Sequence, residues 1–327
     1  MKIEQINKFT HSHTATMLLT IVAVCGIIAA FFINPGSVMS MPSNSIGIQP
    51  IHTWIDFGIT AMIANLAISL GIGYILYILN REFKLMRDKS EAVAGLFMLM
   101  QMALPQAMYT FTGGPIFTIV MLTCMFILFS IYNSGDCSRT IFTVFLLLGT
   151  GSLTFYGYLF FIPLFLIGCA QVRVLTLRTF VAALLGLITP AWIAAGFGLI
   201  DPSFLLLPDI DTILATLEAP QLHLPYLITA GFTVIICLLF GVGCAIRSYS
   251  YNSQSRAYNG FIYIMILGTI LMSFINFNSA IIYLPLLNCC AAYQIGHFFI
   301  TNHNPHSVIG ILLIVAAYFG LYFWNVL

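Results

Sequence analysis

Asp56 is the residue that the sequence best equips for chemistry. It closes the run His52-Thr53-Trp54-Ile55-Asp56 at the mouth of a long apolar segment. One positioned carboxylate near an acceptor is what general-base catalysis requires. The competing reading is a solvated acid at a helix N-terminus, where the dipole favours negative charge. A second group is made of neutral amides inside apolar runs: Asn65, Gln101, Gln106, Asn288 and Gln294. Gln101 and Gln106 flank Pro105, whose missing N–H frees the carbonyl of Gln101 and kinks its helix. Such residues either line a substrate cavity or tie neighbouring helices together by amide hydrogen bonds. His297 follows Gln294 by three residues on the same helical face. It reads as an interhelical hydrogen-bonding group, with a proton-carrying role as the sharper alternative.

Charged and sulfur-bearing residues offer less. The segment DPSFLLLPDIDTILATLEAPQLHL (201–224) carries Asp201, Asp209, Asp211 and Glu218. Residues 209–218 predict a short helix with Asp209 and Asp211 capping its free N–H groups. A divalent-cation site there lacks the ligand count of a calcium loop. The eight cysteines show no metal-type spacing, and the adjacent Cys289-Cys290 is not a CxxC motif. They read as small core residues, so no metal or cofactor is implied. Gly-x-Gly recurs at Gly71/Gly73, Gly149/Gly151, Gly196/Gly198 and Gly241/Gly243. Without the strand of a phosphate-binding motif, these predict close helix packing, with a hinge at Gly149 as the sharper reading. Arg173, Arg178, Arg247 and Arg256 read as topological anchors, or as a basic rim for lipid headgroups or a protein partner.

The elements that must position these groups follow from composition. The 327 residues are 60% hydrophobic and 6% charged, against about 25% charged in an ordinary globular protein. That excludes a soluble enzyme, a disordered chain and a nucleic-acid-binding protein. A spanning helix needs ~20 apolar residues. Candidates are 15–34, 57–79, 92–109, 115–132, 179–200, 225–246, 259–275, 279–300 and 307–326. The 33 apolar residues between Arg139 and Arg173 are interrupted around Gly149-Thr150-Gly151-Ser152. They predict either two compact helices, 140–152 and 155–172, or a re-entrant hairpin. The fold class is therefore an all-α polytopic bundle of about 11 spans, with nine spans plus a re-entrant pair as the alternative. No hydrophilic stretch is long enough for a separate soluble domain, so residues 1–327 form one membrane domain. The first apolar run outlasts the 7–15 residues of a signal-peptide core, which predicts a retained anchor.

Charge sets the orientation. With the N-terminus in the cytoplasm, all 11 Lys and Arg fall on the inner side, as the positive-inside rule demands. This requires residues 140–172 to return to the side from which they start. Asp56, Asp201, Asp209, Asp211 and Glu218 then lie outside, and the C-terminus is outside. Trp54 and Trp324 fall at the outer interface, whereas Trp192 lies deeper and predicts packing. No Asp, Glu, Lys or Arg lies in a span interior, which counts against a pump with a carboxylate relay.

Two resemblances add expectations. The run FYGYLFFIPLFLIGCAQVRVLTLRTFVAALLGLITP, Phe155 to Pro190, resembles an uncharacterised bacterial family of small polytopic inner-membrane proteins. It shares that family's Pro163, the pair Arg173 and Arg178, then Gly186 and Pro190. The resemblance implies the bacterial cytoplasmic membrane and no particular activity. The position of Asp56 resembles the acidic base in the first outer loop of membrane glycosyltransferases with polyprenyl-phosphate donors. Such donors carry phosphate that Arg, Lys or a metal ion normally holds, and the outer face has no basic residue. The leading expectation is a transporter- or flippase-like protein for an apolar or lipidic substrate. A non-catalytic membrane subunit with a protein partner comes next, and a glycosyltransferase-like enzyme third. The surrounding bilayer is the partner common to all three.

Overall fold

A computed structural model describes residues 13–34, 51–86, 92–200, 224–248, 250–276, 279–300 and 305–326. The acidic-loop residues Asp201, Asp209, Asp211 and Glu218 lie outside the described residues, as do Lys2, Lys8, Arg87 and Lys89. Apolar runs become helices because hydrocarbon offers backbone groups no other partners. In chain order these are α1 (His13–Ile33), a 3-10 turn at Ile51–Thr53, α2 (Ile59–Phe83), α3 (Ala92–Met102), α4 (Gln106–Tyr109) and α5 (Gly114–Ser130). There follow α6 (Ser138–Thr154), a 3-10 segment Tyr156–Phe161 running into α7 (Ile162–Gln171), and α8 (Leu177–Gly196). The last four are α9 (Leu224–Ser248), α10 (Ser253–Ile275), α11 (Ala280–Ile300) and α12 (Pro305–Val326). Among the described residues there is no strand.

Six helices, α1, α2, α8, α9, α10 and α12, are long and apolar enough to cross a bilayer. The shorter α3, α5 and the run Tyr156–Gln171 are also apolar. The outward surface carries Leu177, Trp192, Phe197 and Phe32 at 81%, 77%, 78% and 74% exposure. A surface this apolar is one that lipid covers. The chain is a multi-pass membrane protein. Trp192 corrects the expectation of packing: it stands on the outer face of α8.

Two helices form the centre. Every residue of α11 from Ala280 to His297 is buried, and so is every residue of α3 from Gly95 to Met102. Around them, α1 packs on α3, α9 and α10 pack on α11, and α5 packs on α2 and α11. Polar side chains within apolar helices bond back onto their own turn, as Thr118 does to the Gly114 carbonyl at 2.9 Å.

The chain between Arg139 and Arg173 returns to its starting end. The Asn133 N–H donates to the Val172 carbonyl at 3.0 Å, and Arg178 lies 3.5 Å from Asp136. The reversal falls at Phe155, whose extended backbone separates α6 from the 3-10 segment. It does not fall at Gly149. α6 runs unbroken from Ser138 to Thr154, which removes the hinge. Gly149 instead admits α8: a Cβ there would stand 2.7 Å from the Leu187 carbonyl oxygen, and one at Gly186 would stand 2.5 Å from that of Phe142. Gly71, Gly73, Gly241 and Gly243 also face neighbouring side chains, whereas Gly196 and Gly198 face open space and the left-handed Gly198 lies past the end of α8.

Hydrogen bonds sort the loops into two ends. Tyr132 meets Ser253 at 3.1 Å, and Asn259 reaches the Leu85 carbonyl at 3.4 Å. With the contacts above, these gather Lys84, Arg139, Arg173, Arg178, Arg247 and Arg256 at one end. At the other, the Gly58 N–H donates to the Tyr109 carbonyl at 3.1 Å, and Gln106 donates to the Asn325 carbonyl at 3.2 Å. That end carries Trp54, Asp56 and Trp324.

Candidate functional site

The third apolar run does not form one helix. α3 stops at Met102, Pro105 starts the short α4, and the chain is extended at Thr110 before Gly113 turns it left-handed into α5. Each break strands backbone carbonyls inside the protein, and specific amides take them up. The Gln101 carbonyl, which Pro105 cannot serve, accepts the Leu104 N–H at 3.4 Å. The Ala107 N–H turns to the Leu104 carbonyl at 3.2 Å and leaves the Ala103 carbonyl to a side chain. Asn325 donates to that carbonyl at 2.6 Å and to the Thr229 hydroxyl at 3.1 Å. Asn65 donates to both the Met108 and Thr110 carbonyls, at 2.9 and 2.8 Å. Asn65 and Gln106 therefore hold the broken segment in place.

Just before the break, Gln101 faces α11. The Asn288 Nδ2 donates to the Gln101 Oε1 at 3.5 Å, with Gln101 at 3% and Asn288 at 2% exposure. The Gln101 Nε2 and the Asn288 Oδ1 make no hydrogen bond. A spare donor and a spare acceptor thus lie together in the centre of an apolar bundle. Orphaned buried polar atoms of this kind mark strain, a bound water or a ligand position.

Gln294 and His297 lie farther along α11, toward the basic end. Gln294 covers Gly241, where a Cβ would stand 2.8 Å from its Nε2, and its carbonyl accepts the Cys244 thiol at 3.5 Å. His297 is fully buried. Its Nε2 meets the Tyr251 hydroxyl at 3.0 Å, and its ring stacks on Tyr293. Tyr293 donates to the Asn259 Oδ1, and Asn259 donates to the Leu85 carbonyl. The Asn80 Oδ1 accepts the Met86 N–H at 3.1 Å. The histidine is one member of an interhelical polar chain that ends on the turn after α2.

That turn separates two recesses. On its inner side is a small apolar cavity of about 30 Å³, bordered by Leu79, Leu85, Leu122, Met125, Cys290 and Tyr293 among others. On its outer side is a polar pocket of about 340 Å³ lined by Lys84, Leu85, Ser250, Tyr251, Asn252 and Ser255. Leu85 belongs to both. A third recess, of about 290 Å³, lies between α1 and α2 with Ala94 and Met98 of α3 beside it; Thr16, Thr20, Tyr74 and Tyr77 also line it. The Thr16 hydroxyl there is buried without a hydrogen-bond partner.

The remaining candidates are dispersed. Asp56 is exposed, and its backbone carbonyl accepts the Thr60 hydroxyl at 3.3 Å. Arg247 donates to the Phe298 carbonyl at 2.7 Å, with its guanidinium 4.4 Å above the Phe298 ring. It thereby caps the last turn of α11, where a cation suits the dipole. Arg178 pairs with Asp136 at the surface, a contact worth about 0–1 kcal/mol. Arg173 and Arg256 are exposed. Among the described residues no group of His, Cys, Asp and Glu could hold a metal. Burial pushes the Cys137 thiol up, and the neighbouring Asp136 adds to the shift.

Sequence reasoning passed over Asn80, Asn259 and Asn325 because each sits at the edge of an apolar run. Position at a run's edge suggests a solvated cap, yet all three are buried. No protein-family model, curated protein or solved structure matches this chain.

Proposed function

We propose that the chain is a transporter- or flippase-like protein that moves an apolar or lipidic substrate. It acts in the bacterial cytoplasmic membrane, the compartment that the resemblance of residues 155–190 implies. The observation that carries the reading is the Gln101–Asn288 contact, with its spare donor and acceptor beside a broken helix. Discontinuous helices at the centre of a bundle are where membrane transporters form their substrate sites. The lateral groove between α1 and α2 reaches α3 from the lipid side, which supports entry from the bilayer over entry from water. The absence of charge in the span interiors suits a substrate that is itself apolar or amphipathic.

In this reading the basic end faces the cytoplasm and the Asp56 end faces outward, as the charge distribution favours. Gln101 and Asn288 offer a hydrogen-bond donor and acceptor to a polar headgroup as it passes, which lowers the cost of carrying it through hydrocarbon. The test is transbilayer movement of a fluorescent lipid in liposomes containing the purified full chain. Gln101→Leu and Asn288→Leu each slow movement while leaving the protein folded. Movement unchanged in both folded variants contradicts the reading.

A further inference from the structure

The two ends of the bundle are closed by different means. At the Asp56 end, Asn65 and Asn325 hold the broken segment by its own backbone carbonyls. Moving that segment would strand those carbonyls in a dry interior, which polar groups resist. The basic end is closed by side chains and one short turn. Leu85 lines both the polar pocket and the small apolar cavity. Tyr251 lines the first and Tyr293 the second. His297 joins them, bonded to Tyr251 at 3.0 Å and stacked on Tyr293. One layer of side chains thus divides the two recesses. On its pocket side Lys84, Ser250 and Asn252 are exposed, whereas Leu85 and Tyr293 are 3% and 5% exposed.

This layer stands between the basic end and the central amides. The cavity begins at Cys289, the residue after Asn288. Tyr293 lies five residues beyond Asn288, about 7.5 Å along α11. A cavity of about 30 Å³ holds no more than a water molecule, so nothing larger passes unless the layer moves. The helices around it are pinned. Arg247 ties α9 to α11 through the Phe298 carbonyl at 2.7 Å. Tyr258 ties α10 to α5 through the Phe129 carbonyl at 2.8 Å. The Leu85–Met86 turn is held more lightly, by the Asn80 Oδ1 on the Met86 N–H at 3.1 Å and the Asn259 amide on the Leu85 carbonyl at 3.4 Å. Just before it Lys84 ends α2 in the left-handed conformation, φ 47°. Element-terminal residues of this kind are where hinges take up changes in φ and ψ.

We propose that Leu85 and Tyr251 form the gate at the basic end, shut in this structure. Opening breaks the Tyr251–His297 hydrogen bond and swings the Leu85–Met86 turn about Lys84. The polar pocket and the cavity then become one, and the Gln101–Asn288 pair opens to the basic end. The Asp56 end stays closed meanwhile, held by its backbone-bound amides. The gate rests on the transport reading above for the route that it closes. Its test reads accessibility without lipid movement, so failure of the one is distinguishable from failure of the other.

The test is modification of Cys289 and Cys290 in the native full chain by a charged, membrane-impermeant methanethiosulfonate. Sealed vesicles of each orientation are used, and mass spectrometry reads the modified peptide. From the Arg173 side, the wild type is modified slowly. Tyr251→Phe removes the latching hydroxyl and makes no hole. It speeds modification about threefold to tenfold, the population shift expected when one hydrogen bond is lost from the shut state alone. Leu85→Ala speeds it at least as much. Leu122→Ala, which enlarges the cavity from α5 and leaves the layer intact, stays at the wild-type rate. Reagent on the Asp56 side modifies neither cysteine. Should Leu85→Ala fail to fold, Tyr251→Phe decides, since it changes one half-buried hydroxyl. No acceleration in Tyr251→Phe, equal acceleration in Leu122→Ala, or modification from the Asp56 side at the same rate would overturn the proposal.

Discussion

The Asn288 amide of α11 donates to the Gln101 amide of α3 at 3.5 Å, joining the two most deeply buried helices of the bundle. Replacing either residue with leucine leaves its partner with still fewer hydrogen bonds. An unsatisfied buried polar group costs about 1–3 kcal/mol. Each single variant is therefore less stable than wild type, and the double variant Gln101→Leu/Asn288→Leu is more stable than the sum of the singles predicts. Thermal unfolding of all four proteins in one detergent measures the coupling. Strict additivity contradicts direct pairing.

Asn65 has a different fate. Its one Nδ2 group serves two carbonyls stranded where α4 ends. Asn65→Leu orphans both, so it destabilises by about 2–6 kcal/mol, twice the cost of one group. Asn65→Asp, which removes the donor, behaves similarly. Thermal melting in detergent checks this, and full stability of Asn65→Leu contradicts the assignment.

The α6–α8 pair depends on glycine for a steric reason. Gly149→Val and Gly186→Val push side chains into backbone carbonyls of the partner helix. Overpacking of this kind costs about 1–3 kcal/mol. Gly196→Ala meets open space and leaves stability near wild type. Comparing the three melting temperatures tests the contact, and a tolerated Gly149→Val contradicts it.

How far the bundle could be read from sequence depended on where polar groups fell. Apolar runs located the helices because hydrocarbon demands internal backbone pairing. The return of residues 140–172 to one end followed from placing Arg139 and Arg173 on the same side, and the Asn133–Val172 hydrogen bond agrees. The Gly149 break was misread because Gly-Thr-Gly-Ser resembles a loop locally, whereas only the partner helix reveals a packing site. Gln101 stood out beside Pro105. Asn325 did not, because nothing near it in sequence shows that it serves a carbonyl 222 residues away.

Sidedness gives a separate prediction. A single reporter cysteine replacing Arg173 labels from the cytoplasm, and one replacing Asp56 labels from outside. Cys137 competes little at the basic end, since burial raises its thiol above the ordinary range and keeps the reactive thiolate scarce at neutral pH. Labelling of the Arg173 position from outside contradicts the orientation.

The most direct measurement is the rate at which the wild-type chain moves lipid between leaflets. Fluorescent headgroup-labelled lipid is placed in liposomes with and without the folded protein, and an impermeant reductant reports the outer-leaflet fraction over time. The account predicts movement at least about tenfold faster than in protein-free liposomes, a barrier lowered by ~1.4 kcal/mol or more. Movement at the protein-free rate, with the chain folded and monodisperse, would contradict it.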